Sequence, residues 1–135
     1  MLTLQSFFRA YMDAYMRLDP TDFARFYDFP ALVSDAAGDH VMRDAGDVAT
    51  YMRPFIAALR GDGLRDIAFE TLASHDLGAA NSVATNRYRI TAEDQRMIGD
   101  MEFHYFLVRA DDGWRMKFAR IGRIHDWSKS DVWRE

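Results

Sequence analysis

Apolar residues recur along this chain at two different spacings, and the change from one to the other divides it. Over residues 3 to 18, Leu4, Phe8, Tyr11, Tyr15 and Leu18 follow one another every three or four positions, with Ser6, Arg9, Asp13 and Arg17 opposite. That spacing predicts an amphipathic helix, whose apolar stripe Phe7 and Met12 widen. Asp19-Pro20-Thr21-Asp22 stops it and opens a short second helix, with Asp19 suited to cap and Pro20 to the first helical position. Phe23, Phe26 and Tyr27 anchor this second helix and Pro30 ends it. Residues 31 to 34 and 40 to 43, joined by a turn over 35 to 39, read as two short strands. Asp44 and Asp47 then resemble a capping pair. Val48, Tyr51, Met52, Phe55, Ile56 and Leu59 share one face behind them, which predicts a third helix over 45 to 59. Pro54 inside it predicts a kink or a restart, and Gly61-Asp62-Gly63 closes it.

From residue 66 onward the period falls to two. Strands are expected over 66 to 76 and 79 to 91, with turns at Leu77-Gly78 and Ala92-Glu93-Asp94. A long hairpin over 96 to 125 completes the series. On its first arm Met101, Phe103, Tyr105 and Leu107 alternate with Glu102, His104, Phe106 and Val108. On the second, Trp114, Met116 and Phe118 alternate with Arg115, Lys117 and Ala119, and Asp111-Asp112-Gly113 supplies the turn. Arg120 continues the Trp114 face, so unless a bulge intervenes it is expected to point inward, to hold a ligand carboxylate or to pair with a buried acid. Tyr88 suits the cavity side of its strand, with Arg87 and Arg89 on the other. Three helices ahead of four long strands imply an α+β fold: a curved, mostly antiparallel sheet with the helices on its concave face, in one domain over residues 1 to 135.

Composition narrows the function classes. Hydrophobic residues make up 49% and charged residues 28%, both signs interspersed, which excludes a disordered chain. A net charge of −4 argues against non-specific nucleic-acid binding, which rests on a Lys/Arg surplus facing phosphates. The absence of cysteine removes both a disulfide framework and a thiol nucleophile. Arg9 and Asp13 interrupt the N-terminal apolar stretch before a signal-like core can form, and no run approaches the ~20 apolar residues of a membrane span. The expected location is therefore cytoplasmic, with no membrane partner. His40, His75, His104 and His125 are widely separated, and no pair has metal-motif spacing, so no metal is expected. Neither a phosphate-binding glycine motif nor a GxSxG elbow occurs, and no cofactor is expected.

The span from Phe7 to Trp127 resembles the NTF2-like, or SnoaL-like, superfamily. Two stretches carry the resemblance: FFRAYMDAYMRLDPTDFARFYDFPALV, with its Asp-Pro corner and aromatic second helix, and DGWRMKFARIGRIHDW. It implies a cystatin-like α+β cone, three N-terminal helices packed on a curved sheet around a pocket. It implies no single activity, because this fold hosts isomerases, cyclases, dehydratases and members without chemistry. In the ketosteroid isomerases of the superfamily a helix-one tyrosine and a first-strand aspartate stand about as far apart as Tyr11 and Asp35. By that resemblance Asp35 is the proton-moving base, and Tyr11 and His104 are the electrophilic pair, His104 replacing a protonated acid.

Each residue also has a plainer role open to it. Asp35 opens a turn where aspartate commonly caps its own backbone. Tyr11 sits on a helix core stripe, where a packed aromatic is ordinary. His104, mid-strand among Phe103, Tyr105 and Phe106, meets the pocket, a partner or solvent. Tyr15, Tyr27, Tyr51, Phe55, Tyr88 and Arg120 are the candidates to bind a ligand. Three readings follow. The first is a small-molecule-binding protein, as a cofactor-independent isomerase or cyclase moving a proton on a hydrophobic carbonyl compound. The second is a non-catalytic ligand-binding or dimeric assembly domain, since Phe106 and Val108 are too apolar for a bare outer sheet face and point to a homodimer through the sheet. The third is a lyase resembling scytalone dehydratase, built from His75, His104, Tyr11 and Tyr27.

Overall fold

Thr3 begins the first helix as its cap: the hydroxyl accepts the Ser6 N–H at 3.1 Å, satisfying one of the donors a helix start leaves open. In the computed structural model, which describes residues 3–126, α1 then runs over Leu4–Arg17. Phe7, Phe8, Tyr11 and Met12 are buried along one side of it, as their spacing predicts. Leu18 takes a left-handed conformation with φ 54° and returns its N–H to the Tyr15 carbonyl, which ends the helix.

The second helix is not an α-helix. Its place is taken by two 3-10 turns, Pro20–Asp22 and Ala24–Phe26. Three residues each cannot build an i→i+4 ladder, and tighter bonds hold them instead. Asp19 accepts the Thr21 N–H at 2.9 Å, and the Phe26 N–H reaches the Phe23 carbonyl at 3.1 Å. The expected anchors still hold, because Phe23, Phe26 and Tyr27 are all buried. Pro30 does not terminate this segment but lies inside β1, Tyr27–Asp35.

After β2 (Gly38–Met42), α2 spans Ala45–Gly61 and continues as one helix through Pro54. Its start matches the expected capping pair, the Asp44 carboxylate accepting the Asp47 N–H at 2.9 Å. Four long strands follow: β3 (Leu64–Asp76), β4 (Asn81–Ala92), β5 (Met97–Ala110) and β6 (Gly113–Asp126). The six strands form one curved, unclosed sheet in the order β2-β1-β6-β5-β4-β3. Only the β1–β6 pair is parallel; the others are antiparallel.

Period-two burial gives the sheet two unlike faces. Ser82, Ala84, Asn86, Tyr88, Ile90 and Ala92 on β4 are buried while the residues between them are not. On β5, Met101, Tyr105 and Leu107 are buried and His104 is exposed. The β5–β6 ladder shifts register at three places, Asp100/Met101, Met101/Phe103 and Phe106/Leu107, and the last of these turns over the side chains of mid-β6. Phe106 pairs with Phe118 and Leu107 with Met116, so Lys117 is an extra residue, a β-bulge. Its ammonium meets the Asp28 carboxylate at 3.2 Å. Past the bulge Phe118 leaves the Met116 face, Ala119 is buried, and Arg120 is exposed. The inward placement expected for Arg120 is thereby overturned, since one inserted residue inverts the parity of the residues directly after it.

Candidate functional site

Between the helices and the inner sheet face lies a cavity of about 70 Å³, several times the ~10–15 Å³ that one water needs. The sequence holds six tyrosines, and all six line it: Tyr11 and Tyr15 from α1, Tyr27 from the start of β1, Tyr51 from α2, Tyr88 from β4 and Tyr105 from β5. Apolar side chains such as Met12, Met52, Phe55, Ile98, Met101 and Ala119 fill the rest of the wall. Half-buried Asp62, at the end of α2, is the one charged residue among the described lining residues.

Five of the six phenols fall into three groups, and the sixth, Tyr27, neighbours Tyr11. Tyr88 and Tyr105, adjacent on paired strands, place their hydroxyls 2.6 Å apart. The Phe8 ring packs against Tyr105 at 5.0 Å between centroids. Behind the pair stands Asn86, fully buried, whose amide N–H donates to the Tyr88 hydroxyl at 3.0 Å. The Asn86 carbonyl accepts from the Thr71 hydroxyl at 2.8 Å, and Thr71 accepts from the Gln5 amide at 2.9 Å. On the helix side, the Tyr11 and Tyr15 hydroxyls are 3.4 Å apart. Their rings are wedged edge-on against Phe26 and Phe23 at 5.1 and 4.8 Å. Burial, before any other cause, raises the pKa of Tyr11, Tyr15, Tyr27, Tyr88 and Tyr105 above the ordinary phenol value. They line the cavity as neutral O–H groups.

The third group ties a carboxylate to the cavity wall by a hydrogen bond. Tyr51 donates to Asp35 Oδ2 at 2.6 Å. Asp35 Oδ1 accepts the Ala37 N–H at 2.8 Å and stands 3.0 Å from His40 Nε2. Burial acts to raise the Asp35 pKa, but the hydrogen bonds from Tyr51, His40 and Ala37 outweigh it and hold the carboxyl below its usual value. Tyr51 moves the other way: burial first, then the bonded carboxylate, push its phenol far up. Asp35 thus caps its own turn through Ala37 and also reaches the cavity wall through Tyr51.

Tyr11, Tyr15, Tyr27, Tyr51, Phe55 and Tyr88 therefore share the cavity, with Asp35 behind Tyr51. His104 and Arg120 do not join them. They are direct partners across the β5–β6 ladder and both are exposed on the opposite face. His104 Nδ1 stands 2.9 Å from the Thr85 hydroxyl, and its ring lies over Gly122, where a Cβ would come within 2.5 Å of Nε2. His75, His104, Phe106 and Phe118 line an open groove on that outer face. The sheet consequently separates His75 and His104 from Tyr11 and Tyr27. Further along the same face Arg87 makes a bidentate pair with Asp100, 2.8 Å at each bond. An acid does therefore stand beside these strand arginines, contributed by β5, but away from the cavity.

Three participants escaped the sequence reading. Tyr105 alternates with His104 in the sequence, and the alternation alone does not say which of the two faces the cavity. Asn86 carries a readable signal, a polar residue at an inward position between Ala84 and Tyr88. His40 carries none, because only the β1–β2 register brings it to Asp35.

A curved sheet closing with helices around an aromatic cavity defines a protein of the NTF2-like cone class. The sequence matches the NTF2-like family DUF6841 over residues 3–119, and the chain belongs to that family. Comparison with curated proteins returns no match. Among solved structures, a putative calcium/calmodulin-dependent protein kinase type II association domain from Thiobacillus denitrificans superposes with a TM-score of 0.71 at 16% identity, covering 90% of this chain and 96% of that one. A domain of unknown function with a cystatin-like fold from Nostoc punctiforme gives 0.69 at 18% identity, covering 89% and 74%. A ketosteroid isomerase-like protein from Erwinia carotovora atroseptica gives 0.65 at 12%, covering 91% and 94%. At such identities the likeness concerns the fold alone. Among the described residues no helix is long and apolar enough to cross a membrane.

Proposed function

We propose that this protein binds a small, uncharged, largely apolar molecule in the tyrosine-lined cavity. The supporting observation is the wall itself: six neutral phenols set among aliphatic and aromatic side chains, with a single half-buried acid, Asp62. A carboxylate or ammonium moved into such surroundings would lose its hydration without gaining a counter-ion, whereas an apolar ring loses little and gains the burial of its surface. Acetophenone, ethylbenzene and benzoate are compact probes for this. Both neutral compounds should raise the unfolding temperature through ligand linkage, and benzoate should not. Stabilisation by benzoate alone, or by none of the three at millimolar concentration, overturns the reading.

A second reading adds proton transfer, and the 2.6 Å bond between Tyr51 and Asp35 favours it. There Asp35 is the base, acting on the cavity through the Tyr51 hydroxyl, while Tyr11 donates to a carbonyl oxygen. His104 has no place in this version. Exchange of the α-protons of acetophenone with deuterated solvent would report it; exchange equally fast with Asp35→Asn would dismiss it.

The outer groove supports a further part of the proposal, pairing of two copies through the sheet. Phe106 and Phe118 stand half-buried there, and covering them with a second sheet would remove apolar surface from water. Sedimentation equilibrium that returns the monomer mass of 15.6 kDa at micromolar concentration would rule it out.

A further inference from the structure

We infer that the Tyr88–Tyr105 pair is the recognition pole for a hydrogen-bond acceptor, so that the molecule taken up is a neutral carbonyl compound and its carbonyl oxygen sits on this pair. The inference deepens the binding reading above and rests on it. It comes from counting protons along one chain of side chains. The Gln5 amide donates to the Thr71 hydroxyl, which spends its single proton on the Asn86 carbonyl. The Asn86 amide therefore turns its N–H toward Tyr88 and donates to that hydroxyl. The two phenols together own two protons. One lies between them, across 2.6 Å. Because Tyr88 oxygen already receives from Asn86, the second has no acceptor among the hydrogen bonds of the described residues, whichever phenol carries it.

Both phenols are 4% exposed and Asn86 is 0% exposed, so the surplus O–H is turned toward the cavity rather than toward bulk solvent. A hydroxyl that accepts a hydrogen bond donates a stronger one. Here each donor in the run is fed by the one before it. The other phenols are weaker candidates: Tyr27 has the phenol of Tyr11 as its neighbour and, among the described residues, no buried amide behind it. Tyr11 and Tyr15 stand 3.4 Å apart, too far for a strong O–H···O bond. Tyr51 spends its proton on Asp35. The pole thus offers one polarised donor and no base, which suits a ketone or aldehyde oxygen.

Ethylbenzene and acetophenone match closely in shape and differ in that oxygen, so the ratio of their dissociation constants reads the pole directly. Titrations followed by NMR of the methionine methyl groups should give acetophenone roughly three- to tenfold tighter binding in the natural protein, the worth of one net hydrogen bond. In the Tyr88→Phe/Tyr105→Phe double variant ethylbenzene should still bind, which also reports an intact fold, and the ratio should fall to about one. His104→Ala, on the outer face, should leave the ratio as it is. Three results separate the two levels of the argument. If neither compound binds the natural protein, the binding reading fails and this inference with it. If both bind equally, the cavity is a binding site but the acceptor pole is wrong. If the double variant keeps the preference for acetophenone, another phenol reads the oxygen and the assignment to this pair is overturned. Should the double variant fail to bind ethylbenzene, each single phenylalanine variant serves in its place. The assignment then stands only if at least one of them lowers the ratio.

Discussion

His104 and Tyr105 are consecutive residues of β5 that live in different solvents. Tyr105 is 4% exposed, packed under Phe8 and bonded to another phenol. His104 is exposed beside Thr85 and Gly122. The contrast extends over the whole sheet. Its inner face gathers neutral hydroxyls among apolar groups, and its outer face gathers ionisable side chains, such as the Arg87–Asp100 ion pair and the His125–Glu102 hydrogen bond. An unmatched donor on the inner side costs about 1–3 kcal/mol, whereas an exposed pair such as Arg96–Asp94, 3.9 Å apart, contributes roughly 0–1 kcal/mol. The groups with most to gain from a hydrogen-bond partner therefore lie on the inner face, even though the outer face carries the more conspicuous charges. Side-chain type alone misleads here: histidine is the more familiar catalytic residue, and the strand turns it away.

The sharpest way to break this comparison is at the bulge. Met116 before it is 0% exposed, and Phe118 after it is half-buried on the other side. Met116→Ala should cost about 2–5 kcal/mol in urea unfolding, and Phe118→Ala no more than about half of that despite the larger ring. Equal losses would mean that the two residues share a face and that the bulge is misplaced.

A smaller effect is expected at Tyr51. Tyr51→Phe removes a donor from a charged acceptor and should cost about 1.5–3 kcal/mol, while the Asp35 pKa, followed by carboxyl NMR, should rise toward that of a free side chain. No change in that pKa would show that the phenol does not hold the carboxylate.

The smallest is a pH effect, and its sign follows from the direction of the Asp35 shift. The folded carboxyl lies below the ordinary value, about 3.9 in an unfolded chain. The unfolded state therefore binds more protons in that window. The stabilisation is present above about pH 4 and is lost as pH falls through the folded-state pKa. Asp100, held down by Arg87, behaves with the same sign on the outer face. Asp35→Asn should flatten the acid limb of the stability curve in part and leave the Asp100 share. An acid limb unchanged by Asp35→Asn would contradict the bonding described for this carboxylate.

How much of this could be read from the chain follows from how each feature is encoded. α1 and α2 carry five or more apolar residues at helical spacing with caps ahead of them, so both are legible, and so are the long strands. The 3-10 turns are not, because three residues hold no period and Pro20 starts an α-helix or a 3-10 turn equally well. Pro30 reads as a terminator, yet it sits in β1 because Tyr27 and Leu32 already pair with β6. The bulge at Lys117 has no apolar signature, so the face of Arg120 is not legible from the alternation alone. In the site, the six aromatic hydroxyls are visible one by one in the sequence. Their grouping depends on pairings such as Tyr51 with Asp35, sixteen residues apart on different elements, and no spacing rule encodes those.

The most direct test is where a neutral ketone touches the protein. The sequence holds eight methionines; Met12, Met52 and Met101 line the cavity, and Met16 and Met97 are exposed. A titration with acetophenone followed on ¹³C-methyl methionine signals should move the first three together along one binding curve and leave the other two in place. Shifts confined to Met16 or Met97, with the cavity signals unmoved, would contradict the account.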